Sequence, residues 1–190
     1  MARRSVLLLL AFAALALPAR AHAAGGRYVL VGGTKTERRT VVSALDASAF
    51  NWDVVARRVT IKIVRGHDSE ALPGTIWLDA DLLDAGQFAW GVVQHEYAHQ
   101  VDYLLLDDSQ RGYLLQHLGG VGWCMEAPGL AHGEYGCERF ASTLAWAYWP
   151  SPNNCMKPES RPDESAALPP RQFMALVDSL LASRALRIAH

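Results

Sequence analysis

The sequence predicts an α+β fold: a small mixed sheet whose edge strand lies beside a central helix, with a second packed helix further along. Three observations carry this. Val59, Ile61 and Ile63 alternate with Arg58, Thr60 and Lys62, the two-residue period of a half-buried strand. Residues 88–106 place Phe88, Val92, Val93, Val101, Leu104 and Leu105 at helical spacing, with His95-Glu96-Tyr97-Ala98-His99 in the middle. Residues 134–148 return to that spacing through Phe140, Leu144, Ala147 and Tyr148.

The other elements are taken in chain order. Arg3 and Arg4, the apolar run of residues 6–17 and Ala21-His22-Ala23 have the layout of a secretory leader, so residues 1–23 are expected to be removed as a signal peptide. Residues 24–190 then form one domain. Residues 24–38 read as either an arm or a pro-segment, with Tyr28-Val29-Leu30-Val31 as a short strand stopped by Gly32-Gly33. Thr36 and Glu37 open a helix running to about Ala49. After the alternating strand, residues 66–74 read as loop, with Asp68, Pro73 and Gly74 as breakers. Thr75-Ile76-Trp77-Leu78 reads as a second strand, either an edge strand or an ordinary sheet strand, and Asp79, Asp81 or Asp84 caps the next helix.

Tyr113, Leu114, Leu115 and Leu118 suggest a short helix. Glycines at 119, 120, 122, 129 and 133 then make a long loop. Residues 156–168 read as surface loop, and Pro169-Pro170 introduces a last amphipathic helix through Phe173, Leu176, Val177, Leu180 and Leu181.

Composition narrows the function classes. Without Arg3, Arg4 and Arg20 the 18 basic residues become 15 against 19 acidic ones, a net −4 with no basic block. Nucleic acid and, after leader cleavage, membrane are therefore not expected partners. The leader predicts a secreted, extracellular protein, in which one disulfide is expected. Cys124–Cys137 and Cys137–Cys155 both close short loops, and no C-x-x-C offers a cysteine-rich zinc site.

The chemistry centres on H-E-x-x-H. Residues i and i+4 share a helix face, so His95 and His99 can reach one Zn2+, with Glu96 beside them as general base toward a water. A catalytic zinc commonly takes three protein ligands. A third histidine at the H-x-x-G-x-x-H spacing is absent, because Asp102 and Leu105 stand at those positions. A carboxylate from the next helix remains. Glu138, in Glu138-Arg139-Phe140-Ala141, is the favoured third ligand and Glu134, one helical turn earlier, the rival. Asp102, one turn after His99, is a candidate to orient it. His132 and Tyr135, with His117 and Tyr113 behind them, are candidate donors to the oxyanion of a tetrahedral intermediate.

On these residues, H-E-x-x-H-x-x-D followed by E-x-F-A, the chain resembles the gluzincin class of zincin metallopeptidases over residues 75–149. It looks most like their lethal-factor-like branch and related small secreted bacterial peptidases. The run from Glu134 to Ala141 also resembles the E-x-x-A-(N/D)-x-F-A form of that motif, with Cys137 and Glu138 departing from it. The resemblance implies a zincin-like fold, a Zn2+ cofactor on His95, His99 and Glu138, and hydrolysis of peptide or protein substrates aligned along Thr75, Ile76, Trp77 and Leu78. Two other classes stay open at this point. One is a catalytically silent zinc-binding module. The other is a secreted interaction module working through the glycine-rich loop 119–136.

Overall fold

The computed structural model describes residues 25–124 and 128–188. The predicted leader, residues 1–23, lies outside them. The described chain is α+β, with one four-stranded sheet and six helices among its described residues.

Strand β1 (Tyr28–Gly32) is followed by helix α1 (Lys35–Ala47) and strand β2 (Val59–Val64). Strands β3 (Glu70–Leu72) and β4 (Thr75–Asp79) form a hairpin. Helices α2 (Ala80–Leu83), α3 (Trp90–Leu105), α4 (Asp108–Leu118), α5 (Gly136–Tyr148) and α6 (Pro170–Ile188) complete the order. The residues read as an arm or pro-segment thus supply a strand of the sheet and the start of α1. Thr34 caps α1 rather than Thr36: its hydroxyl accepts from Glu37 N while Glu37 accepts from Thr34 N.

The sheet order is β1-β2-β4-β3, with β1, β2 and β4 parallel and β3 antiparallel to β4. Leu30, Ile61 and Ile76 lie in register across the three parallel strands. Two expectations are corrected here. Residues 66–74 are not all loop, because Pro73-Gly74 turns the chain back and lets Glu70–Leu72 pair with β4. Thr75, Ile76, Trp77 and Leu78 consequently lie in an interior strand, hydrogen-bonded on both sides. The edge facing α3 is β3.

Alternation along β2 and β4 buries Val59, Ile61, Ile63, Ile76 and Leu78 on one face. That face joins Val41, Ala44 and Leu45 of α1 and Val93, Tyr97 and Val101 of α3 in one core. α5 packs against α3 and is itself flanked by α4 and α6. α3 is therefore enclosed nearly all round, and Gln94, His95, Glu96, His99, Gln100 and Asp102 are buried polar groups on it. Such groups need partners, and those partners define the site. No helix among the described residues is long and apolar enough to cross a membrane.

Candidate metal centre

Two buried glutamines fix α3 at either end of its histidine turn. Gln94 Nε2 donates to the Ala44 carbonyl at 2.7 Å, tying α3 to α1. Gln100 accepts from Gly74 N at 2.7 Å and donates to the Leu72 carbonyl at 3.0 Å, tying it to the β3–β4 turn. Tyr103, one turn after His99, donates to the Ala71 carbonyl of the edge strand at 3.1 Å. Between these anchors His95 and His99 face α5, whose first turn presents Glu138.

The start of α5 is held equally closely. Gly136 abuts Leu115 and Trp123, where a Cβ would sit 2.7 Å from each side chain. Its amide donates to the Gly122 carbonyl at 2.8 Å. Cys137 forms a disulfide with Cys124 (Cα–Cα 5.7 Å), choosing one of the two pairings open from sequence and leaving Cys155 free. Glu138 Oε1 rests 3.4 Å from Cys124 Sγ.

Three atoms converge. His95 Nε2 and His99 Nε2 are 3.2 Å apart, and Glu138 Oε2 lies 3.1 Å from the first and 3.3 Å from the second. Tetrahedral zinc with bonds of about 2.0 Å has ligand–ligand edges of about 3.3 Å. The triangle matches one face of such a tetrahedron.

Proton placement sharpens the fit. The Ser142 hydroxyl donates to Glu164 Oε2 at 2.9 Å, so its oxygen is free to accept from His95 Nδ1 at 3.1 Å. His95 then carries a proton on Nδ1 and turns Nε2 toward Glu138. A metal held there would take Nε2 and the carboxylate oxygen as ligands, and two imidazoles with a carboxylate suit zinc.

The same contacts shift the charged groups of the centre. Burial raises the Glu96 carboxyl above its usual range, against the charges of His95 and His99 that lower it. For Glu138 burial acts upward, but hydrogen bonds from His132, His95 and His99 outweigh it and hold the carboxyl well below the usual range. For His99 burial acts downward, and Glu138, Glu96 and Asp102 together outweigh it and raise the imidazole. His132 is pushed up to about 10 by its hydrogen bonds to Glu138 and Glu164.

The other sequence candidates fall as follows. His132 reaches the centre, with Nε2 3.2 Å from Glu138 Oε2 and Nδ1 2.6 Å from Glu164 Oε1. Glu134 does not. α5 begins only at Gly136, so Glu134 sits in a 3-10 turn before it, exposed, accepting from Ala131 N at 2.8 Å. The one-turn relation to Glu138 that made it a rival ligand does not exist. Tyr135 also turns away; its hydroxyl accepts from Leu130 N at 3.2 Å and closes the loop.

Asp102 does not orient His99. It accepts from Arg111 Nε at 2.8 Å and Trp123 Nε1 at 3.0 Å, while His99 Nδ1 is buried without a hydrogen-bond partner among the described residues. Tyr113 and His117 lie tilted against each other on the outer side of α4. Two site residues escaped the sequence reading. Ser142 was legible in principle, four residues after Glu138 on the same helix face. Glu164 was not, because only the folded chain brings it from residues 156–168 to the centre.

Compared with protein-family models, curated proteins and solved structures, the chain matches none.

Proposed function

We propose that this protein is a secreted zinc metallopeptidase with a zincin-like arrangement, in which His95, His99 and Glu138 hold the metal and Glu96 is the general base. The observation that carries this is the 3.1–3.3 Å triangle of two imidazole nitrogens and one carboxylate oxygen, with Glu96 buried beside it. Zinc, if held by His95, His99 and Glu138, would supply Lewis acidity toward a substrate carbonyl and would lower the pKa of a water toward neutrality.

The chain's own groups do the rest. Glu96, raised by burial, takes the proton of the attacking water and returns it to the leaving amine. A zinc site that only binds has no use for such a base. The β3 edge accepts an extended peptide by backbone pairing, and Tyr103 and Gln100 hold that edge to the histidine helix. His132, at the exposed mouth and 3.2 Å from Glu138, is the group placed to stabilise the tetrahedral oxyanion.

The test is metal content together with cleavage of an unstructured peptide. The expected result is one zinc per chain, with cleavage abolished by chelation and restored by zinc. Zinc without cleavage leaves the non-catalytic metal module. Absence of zinc after metal-replete purification leaves the interaction module and ends this reading.

A further inference from the structure

We propose that Glu164 is a positioning residue for the metal centre: a single carboxylate that aims two of the three ligands, His95 through Ser142 and Glu138 through His132. The inference rests on the metal-centre reading and deepens it. Both carboxylate oxygens are used. Oε2 accepts from Ser142 Oγ at 2.9 Å, and Ser142 in turn meets His95 Nδ1 at 3.1 Å. Oε1 meets His132 Nδ1 at 2.6 Å, and the far nitrogen of that ring lies 3.2 Å from Glu138 Oε2.

The two arms therefore start on one residue and end on two ligands carried by different helices. The serine arm sets which nitrogen of His95 bears the proton, and so which one faces the metal. The histidine arm meets Glu138 at the same oxygen that faces His95 and His99, and so holds its carboxylate in that orientation. Partners of this kind orient metal ligands and commonly change metal affinity roughly 10- to 100-fold when removed.

The fold holds Glu164 in place for this task. Its side chain is only 23% exposed, in a segment whose composition reads as solvated loop. Thr143 Oγ1 donates to the Glu164 carbonyl at 3.2 Å, fastening the Glu164–Ala166 turn to α5. Asp163 accepts from Glu159 N at 2.6 Å and Ser160 N at 2.8 Å, which fixes the approach to that turn.

The decisive variant is Glu164→Gln in the full chain, which keeps the shape and removes the second acceptor oxygen. Zinc affinity is read by competition with a chromophoric chelator. The d–d absorption of the cobalt(II)-substituted protein reports ligand geometry at saturating metal, where a merely structural role moves nothing. Expected are a roughly 10- to 100-fold loss of zinc affinity and altered cobalt bands, with the apo-protein folded as wild type. Wild-type affinity and an unchanged cobalt spectrum in Glu164→Gln overturn the proposal and leave the metal centre standing. A wild-type chain that takes up neither metal overturns both. Should Glu164→Gln fail to fold, Ser142→Ala and His132→Gln each remove one arm. A smaller affinity loss in each supports the proposal, and wild-type affinity in both overturns it.

Discussion

Asp102→Asn separates structural from metal-orienting carboxylates on the central helix. Asp102 is 1% exposed and accepts two side-chain hydrogen bonds, from Arg111 Nε at 2.8 Å and Trp123 Nε1 at 3.0 Å. Asparagine has the same shape but one acceptor, so its amide group must face one of these donors. Breaking a fully buried ion pair costs about 3–5 kcal/mol, an upper limit here. Arg111 is 23% exposed and keeps Asp108 and the Asp102 carbonyl as partners, so water and these groups relieve part of the loss. Loss of one charge-assisted hydrogen bond, about 2–3 kcal/mol, is the better figure. For a domain of this size each kcal/mol lowers Tm by about 2–4 °C, giving a drop of roughly 4–12 °C. Thermal unfolding of apo-protein checks the number. Zinc affinity should stay within about threefold of wild type, because Asp102 makes no hydrogen bond to His99. A tenfold loss of zinc affinity at unchanged Tm would refute this and restore Asp102 as the residue orienting His99.

Neighbouring contacts set three further outcomes. Glu138→Gln should weaken zinc binding by at least about 100-fold while Glu134→Gln leaves it unchanged, since only Glu138 meets both histidines; a chelator competition on the two variants decides between them. Replacing Cys124 and Cys137 together by serine opens a loop with a sequence separation of 13 and should cost about 3 kcal/mol in denaturant unfolding. Gln100→Ala removes the side chain that both accepts from Gly74 N and donates to the Leu72 carbonyl. It should cost about 1–3 kcal/mol and raise KM for peptides more than it lowers kcat, because it loosens the edge strand rather than the base.

The parts of this molecule that announce themselves in sequence are those with a local period. The alternation of Val59, Ile61 and Ile63 marks β2, and the His95–His99 spacing gives a shared helix face; both are properties of a single element. Strand β3 is three residues long, too short to show any period, and its pairing depends on the Pro73-Gly74 turn. Whether β4 is an edge or an interior strand depends on β3, so that expectation failed with it. Glu134 misled because a helix register was extended two residues past the true start of α5. Asp102 misled because proximity along a helix says nothing of the Trp123 and Arg111 donors waiting elsewhere. Glu164 lies 69 residues beyond His95 in sequence and reaches it through Ser142, a relation only the folded chain contains.

The central claim concerns Glu96 as a base beside bound zinc. The most direct measurement is cleavage of a quenched fluorescent peptide library by zinc-loaded wild type and zinc-loaded Glu96→Gln, with metal content measured on the same samples. The account predicts one zinc per chain in both and a loss of at least about 100-fold in cleavage rate for the variant. Equal cleavage by the two proteins, or no cleavage by zinc-loaded wild type, would contradict it.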